Sequence, residues 1–135
     1  MTVRQMRLVV TADDYDEALQ FYRDVLGLPE LGSFAAEGGR VTILDAGRAT
    51  LELTDPKHAA YIDRVEVGER VAGHIRVAFE VEDAVETTRL LEAAGARVIA
   101  EPVYTPWNSM NARLEAPAGL QLTLFQELQP EFEAQ

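Results

Sequence analysis

The segment DDYDEALQFYRDVLGL (residues 13–28) decides the fold class, because its apolar residues follow the period of a helix that covers a sheet. Either Asp13 or Asp14 can cap the start of this helix, and Gly27 can close its end. The apolar stripe that would face the sheet consists of Tyr15, Ala18, Leu19, Tyr22, Val25 and Leu26. We therefore predict an amphipathic helix that ends at Gly27.

Strand patterns lie on both sides of this helix. Before it, residues 3–10 alternate between an apolar face and a mixed face, as a half-buried strand does. After it, three shorter patterns over residues 33–37, 41–44 and 49–54 are each followed by a turn signal. The predicted order is strand, helix and three strands.

The second half of the chain repeats this order. A strand pattern begins at His74, and a helix can be capped by Asp83 and ended by Gly95. Three further strands are predicted over residues 97–104, 111–115 and 120–126, with Pro117-Ala118-Gly119 as the last turn. Matching landmarks lie about 70 residues apart in the two halves, namely Arg7 and Arg76, Gly27 and Gly95, and Glu52 and Thr123.

This spacing indicates a duplicated unit. One βαβββ unit alone would leave a sheet face bare, so two units must pair. We predict an α+β fold of two βαβββ modules that together form one domain. The boundaries are residues 1–55 for the first module, 56–73 for a polar linker with a helical turn, 74–126 for the second module and 127–135 for an acidic tail.

The composition excludes several kinds of site and partner. The chain has 135 residues and no cysteine, which excludes thiol catalysis, disulfides and thiolate metal sites. Its two histidines, His58 and His74, are too few for a multi-histidine metal centre. The net charge of −11 repels nucleic acid phosphates and anionic membrane surfaces. There is neither a signal-peptide pattern nor an apolar run of roughly 20 residues, so we expect a cytoplasmic protein that binds no nucleic acid and no membrane.

Four stretches in this order resemble the glyoxalase/bleomycin-resistance/extradiol-dioxygenase superfamily, also called the vicinal oxygen chelate superfamily. They are DDYDEALQFYRDVLGL, LDAGRATLELTDP, HIRVAFEVED and ARLEAPAGLQLTLFQ, and they extend over almost the whole chain. The resemblance implies that the two modules form a curved, mixed β-sheet cup. Within the family, the chain is similar to the metal-free branch that resembles bleomycin-resistance proteins.

The positions that hold a metal in the family's metalloenzymes are altered here. The resemblance places those positions at Arg7, Glu52, Arg76 and Thr123. A guanidinium group has no lone pair for a cation, and only Glu52 could bind a metal. We therefore expect no metal and no other cofactor. The alternative is a site of His74, Glu52 and water, since His74 shares a strand face with Arg76, whereas His58 is expected to be exposed in the linker.

The same positions suggest how a ligand would be held. Arg7 or Arg76 could donate to ligand oxygens, or they could only pair with Glu52 and fill the former metal pocket. The resemblance implies that Phe34, Tyr104 and Trp107 line a crevice for a flat ligand, and the alternative for Trp107 is a lid or a dimer contact. The complete set of candidate ligand-binding residues is Arg7, Phe34, Glu52, Arg76, Tyr104, Trp107, Asn108, Met110, Arg113 and Thr123.

The resemblance implies a function in small-molecule binding. The expected protein is a homodimer that sequesters an aromatic ligand or antibiotic and so confers resistance, without catalytic residues. The alternative is an enzyme of the same fold, a lyase, isomerase or dioxygenase that acts on a small oxygenated substrate with or without a divalent metal. Glu52 would then be the general base, and the arginines would stabilise an oxyanion. A third possibility is a regulatory or carrier module for a metabolite.

Overall fold

The computed structural model describes residues 2–117 and 120–128 and consists of one eight-stranded sheet with helices on both faces. The strands are β1 (Val3–Thr11), β2 (Glu30–Ala36), β3 (Gly39–Asp45), β4 (Thr50–Thr54), β5 (Ile75–Val81), β6 (Arg97–Tyr104), β7 (Ser109–Ala116) and β8 (Leu120–Glu127). The helices are α1 (Tyr15–Leu19), which continues as a π-helical segment (Gln20–Val25), α2 (Pro56–Glu66) and α3 (Ala84–Ala93). The predicted α+β fold class is confirmed. Most of the predicted turn at 117–119 and most of the predicted acidic tail lie outside the described residues.

The strand order shows the duplication. The order is β2-β3-β4-β1-β5-β8-β7-β6, so that each half contributes four neighbouring strands. β1 runs parallel to β4, β5 runs parallel to β8, and β1 and β5 join the halves as an antiparallel pair at the centre. The first and last strands of each half are therefore the four central strands of the sheet.

The outer face of the sheet carries the apolar core under α1 and α3. Tyr15, Leu44 and Leu53 form one cluster beneath α1, and the cluster beneath α3 consists of Val81, Ala84, Ala112, Leu114 and Leu124. Asp14 caps α1 by accepting from the Glu17 N–H, and Asp83 caps α3 in the same way. The sequence spacing predicts an inner stripe of Val85, Thr88, Leu91 and Ala94 for α3. Thr88 is buried as predicted, whereas Val85 is exposed and Ala84 is buried.

The first helix changes its geometry halfway. Within the π-helical segment, the Leu26 N–H donates to the Phe21 carbonyl, five residues earlier. The wider turn rotates the following side chains away from the sheet, and Val25 is 73% exposed. Val25 and Leu26 are therefore not part of the buried stripe, contrary to the prediction.

The segment expected to be a linker contains an eleven-residue helix, which corrects the interpretation of residues 56–73. Asp55 caps α2 by accepting from the His58 N–H at 2.8 Å, and Pro56 occupies its first turn. This helix lies on the inner face of the sheet, opposite α1 and α3. None of the helices in the described part of the chain is long and apolar enough to cross a membrane.

A glycine allows α2 to approach the sheet closely. A Cβ atom on Gly39, at the start of β3, would lie 2.2 Å from the backbone nitrogen of His58 and 2.6 Å from its Cα. Both atoms belong to the helix backbone, so no rotamer change can relieve the overlap. Gly39 therefore sets how closely the N-terminal end of α2 packs against β3.

We expect Gly39→Ala to destabilise the protein by about 1–3 kcal/mol, because overpacking a close backbone contact forces the helix to shift. Gly73→Ala is the matched control, since a Cβ there meets no atom within 4 Å. Urea unfolding of the two variants measures the difference. Equal stability of Gly39→Ala and Gly73→Ala would contradict the proposed contact.

Candidate functional site

A cavity of about 290 Å³ lies between α2 and the inner face of the sheet. Its floor comes from strands of both halves, and its roof comes from α2 and from the loop between β6 and β7. The apolar part of the lining includes Val9, Val41, Ile43, Ala78 and Phe125. The polar part is concentrated on the four central strands.

The strand register brings the polar side chains together. Glu52 on β4 and Arg76 on β5 both pair with Val9 of β1, which lies between them. In the next row, Arg7 and Thr123 are both paired with Ala78. Because side chains in register project to the same face, both rows point into the cavity.

Arg7 is fixed by several partners at once. Its Nε donates to Gln5 Oε1 at 2.8 Å, and its two terminal nitrogens lie 3.6 Å from Glu52 Oε2 and 3.5 Å from Glu127 Oε1. The guanidinium also lies 4.3 Å from the ring centroid of Phe125. Arg7 thus balances two carboxylates and holds Glu52 in place.

Arg76 has a different environment. Its Nη1 donates to Thr123 Oγ1 at 2.7 Å. No carboxylate oxygen within residues 2–117 and 120–128 comes within 4.0 Å of its charged nitrogens. Burial lowers the pKa of Arg76, although the charges of Glu66 and Glu52 act in the opposite direction. A partly buried cation that lines a cavity in this way is suited to binding an anionic oxygen.

A buried ion network fastens α2 to the sheet. Arg113 on β7 is 0% exposed and donates to Asp63 Oδ1 at 2.9 Å and to Glu66 Oε1 at 2.6 Å. Asn111 donates to the second oxygen of Glu66, also at 2.6 Å, and Arg70 pairs with Asp63 at 2.8 Å. Each buried carboxylate therefore has at least two donors.

Asp63 is stabilised in its charged form by this network. Burial opposes ionisation of its carboxylate, but hydrogen bonds from the Ala72 and Val71 backbone and from Arg113 outweigh that effect and lower the pKa of Asp63. The same bonds hold the segment between α2 and β5 against α2.

An aromatic wall faces the polar floor. The ring centroids of Tyr61 and Trp107 are 6.3 Å apart, and those of His58 and Tyr61 are 5.7 Å apart. His58 is only 7% exposed and lines the cavity, so the expectation of an exposed His58 is wrong. Burial lowers the pKa of His58, while Asp55 acts to raise it and Arg76 to lower it.

The structure brings together six of the ten candidate ligand-binding residues. Those that line the cavity are Arg7, Phe34, Glu52, Arg76, Trp107 and Thr123. Tyr104 is 63% exposed and donates to Asn108, and neither residue lines the cavity. Met110 packs on the outer core, because it points to the opposite side of β7 from Ser109 and Asn111. Arg113 anchors α2 and does not line the cavity.

The side chains at the family's metal positions do not fit a metal ion. Arg7 and Arg76 offer only donors, and the hydroxyl of Thr123 accepts from Arg76. The described part of the chain contains no group of three or more histidine, cysteine, aspartate or glutamate side chains that could hold a metal. His74, the alternative ligand, is exposed and does not line the cavity.

The sequence interpretation missed the residues that α2 contributes. His58, Tyr61, Ile62 and Glu66 all line the cavity. The turn signal after residues 49–54 is Asp55-Pro56, and an aspartate followed by a proline also starts a helix. The buried side of α2 is rich in His, Asp and Glu, so it lacks the apolar stripe by which helices are recognised.

Comparison with known proteins gives a family match over most of the chain. The model of the Glyoxalase/Bleomycin resistance protein/Dioxygenase superfamily matches residues 4–124. A Mycobacterium tuberculosis protein named "Putative glyoxylase CFP32" is 34% identical over 118 residues, which are 87% of this chain and 41% of that protein. The chain thus spans about two fifths of that relative. A Synechocystis protein named "Probable lactoylglutathione lyase" is 30% identical over 128 residues, which are 90% of this chain and 93% of that protein.

Solved structures show the same fold at lower identity. The hypothetical protein BH1468 from Bacillus halodurans has a TM-score of 0.72 and 19% identity, with 96% of this chain and 97% of that chain covered. A methylmalonyl-CoA epimerase from Streptomyces coelicolor has a TM-score of 0.68 and 22% identity, with 95% and 100% covered. These likenesses support the fold.

The enzyme names of the curated relatives overturn one prediction. A chain without catalytic activity was expected, whereas the relatives that match most of its length are named as a glyoxylase and as a lyase. The expectation of a non-catalytic protein is therefore wrong.

We expect Arg113→Met to lower the free energy of unfolding by about 3–5 kcal/mol, because it leaves Asp63 and Glu66 buried without their shared cation. Arg97→Met is the matched control, since Arg97 forms an exposed pair with Glu115 on the sheet edge and should cost less than about 1 kcal/mol. Urea unfolding measures both. Similar losses in the two variants would refute the anchoring role of Arg113.

The stability of the protein should also depend on the protonation of His58. Because the pKa of His58 is lowered in the folded state, the unfolded chain binds a proton first as the pH falls below about 6.5, and the wild type then loses stability. We expect the stability of His58→Gln relative to the wild type to increase as the pH falls from about 7.5 to about 5. His74→Gln, at an exposed position, is the control. A pH-independent difference between His58→Gln and wild type would contradict the prediction.

Proposed function

The chain belongs to the glyoxalase/bleomycin resistance protein/dioxygenase superfamily, and we propose that it is an enzyme that moves a proton at a carbon next to a carbonyl group in a small oxygenated substrate. The lyase named among the relatives supports an enzyme of the lyase or isomerase type. The proposal rests on one observation. Arg76 presents its charge to the cavity without a carboxylate within 4.0 Å in the described residues, while Glu52 lies nearby on the same face.

The geometry of the floor suits one small molecule between these two groups. Glu52 and Arg76 lie on strands that are both neighbours of β1, so their backbones are about 10 Å apart. Side chains of this length can then reach the two ends of a carbonyl-containing group. Thr123 holds one nitrogen of Arg76, which orients the remaining N–H groups.

Glu52 would act as the general base. Its carboxylate is held by Arg7 and lines the cavity. It would accept the proton from the carbon, the C–H electron pair would form a C=C bond, and the carbonyl π electrons would move to oxygen. Return of the proton to the opposite face of the same carbon, with the electrons on oxygen re-forming the carbonyl, gives the epimer. Its delivery to the neighbouring carbon gives the isomer when the hydroxyl proton of the first carbon passes to the enolate oxygen, so that a carbonyl forms at the first carbon as the original one is reduced to a hydroxyl. Arg7 would act as a positioning residue in this scheme.

Arg76 would stabilise the oxygen on which charge develops. Guanidinium N–H groups aimed at that oxygen interact more strongly there than in the free substrate. The apolar part of the lining, which includes Val9, Ile43 and Ala78, limits the access of water and strengthens this interaction. This mechanism uses only groups of the chain itself. It agrees with the side chains at the family's metal positions, because these do not fit a metal ion.

We expect chelator-treated protein to form S-lactoylglutathione from methylglyoxal and glutathione, measured by absorbance of the thioester. Glu52→Gln should lower kcat/KM by at least about 100-fold through loss of the base. Arg76→Met should lower it by about 100-fold or more, because the oxyanion loses its donor.

Glu115→Gln is the matched control, since Glu115 lies on the sheet edge outside the cavity lining and should leave the rate unchanged. Absence of product with the wild type, or a full rate with Glu52→Gln, would refute the proposed chemistry. Activity that is lost to the chelator and restored by a divalent cation would refute a reaction that uses only the chain's own groups.

A further inference from the structure

We propose that His58, in the roof of the cavity, is a further catalytic residue that donates a hydrogen bond from the Nε2–H of its neutral ring to the substrate oxygen. This inference rests on the proposed function, because it assigns a role in the same reaction. It adds a group from α2 to a reaction whose other catalytic groups lie on the strands.

The backbone fixes the position of His58. It lies in the first turn of α2, where its N–H donates to the capping carboxylate of Asp55 at 2.8 Å. Gly39 permits the close approach of β3 to the same backbone atoms, and the ring lies against Tyr61. The backbone of His58 is therefore fixed by two contacts, and its ring packs against Tyr61 at the cavity.

The two ring nitrogens are not equivalent. Nδ1 is buried and has no hydrogen-bond partner among residues 2–117 and 120–128. Since Nδ1 has almost no accessible surface while His58 lines the cavity, we infer that the opposite ring edge, which carries Nε2, meets the cavity. A proton on Nδ1 would be a buried donor without an acceptor, which is more unfavourable than an unused lone pair. The proton of the neutral ring is therefore assigned to Nε2.

The surroundings favour the neutral ring. A protonated ring would carry N–H on both nitrogens and so would leave the Nδ1 donor buried without a partner. Burial lowers the pKa of His58 and the charge of Arg76 acts in the same direction, whereas Asp55 opposes them. The neutral form thus prevails at neutral pH.

A neutral imidazole can assist the reaction without changing its own charge. As Glu52 removes the proton from carbon, the carbonyl oxygen gains electron density and the Nε2–H hydrogen bond to it strengthens. No proton needs to leave His58, so the step remains balanced with Glu52 as the only proton acceptor. Arg76 would approach the same oxygen from the floor while His58 approaches it from the roof.

The kinetic test compares two substitutions that differ in one donor. His58→Leu removes the N–H group and should lower kcat about 100-fold with less than about 3-fold change in KM, because the bond strengthens in the transition state. His58→Gln keeps an amide N–H of similar reach and should retain most of the rate. The exposed His74→Leu is the control for loss of a histidine. Full kcat in His58→Leu would overturn the assignment.

The second test needs no variant of His58 and no turnover. Ring ¹⁵N shifts of the wild-type protein, with His74→Gln used to assign the two histidines, report the protonation of each nitrogen. We expect a neutral His58 with its proton on Nε2 at about pH 7. A charged ring or a proton on Nδ1 would overturn the inference. Absence of turnover in the wild type would instead refute the proposed function and leave this measurement decisive for His58.

Discussion

The bridge from Arg113 to Asp63 and Glu66 determines where α2 lies, and the cavity depends on that position. A fully buried guanidinium must be paired, and in the described part of the chain both of its carboxylate partners lie on α2, while Gln121 accepts a further hydrogen bond. The placement of α2 across the inner face supplies both carboxylates. Once α2 is in that place, its other residues become the roof of the cavity, and the sheet face becomes its floor.

Three arginines on the same face of the sheet serve three purposes, and the distribution of carboxylates decides which. Arg113 forms ion pairs with two carboxylates of α2 and anchors this helix. Arg7 lies between Glu52 and Glu127 and fixes the first of them. Among the described residues, Arg76 donates its one side-chain hydrogen bond to a hydroxyl, and so it keeps its capacity to bind an anion from outside. An arginine on this face therefore has a structural role where carboxylates surround it, and it can bind a ligand where they do not.

The sheet could be predicted from the sequence because strand alternation and the duplicated spacing are visible along the chain. The floor residues Arg7, Glu52, Arg76 and Thr123 follow from the resemblance to the superfamily, and the strand register places all four on one face of the central strands. The role of Arg113 could not be predicted, since Asp63 is 50 residues away and nothing local links the two. Because the buried side of α2 carries polar residues, its sequence has the pattern of an exposed segment. The sequence therefore predicts an exposed His58.

The charged floor of the cavity lowers the stability of the protein, which indicates that it serves another purpose. A Met or Leu in place of Arg76 would avoid the desolvation of a charge that has no ion-pair partner within 4.0 Å in residues 2–117 and 120–128. His58 likewise leaves a buried nitrogen without a hydrogen bond in that part of the chain. Arg76 and His58 meet the same cavity, one from the floor and one from the roof. A ligand bound there could supply an anionic partner for Arg76 and an acceptor for the His58 ring. The overall charge of −11 would repel an anion at long range, so a substrate that develops negative charge only during the reaction suits this protein better than a strongly anionic one.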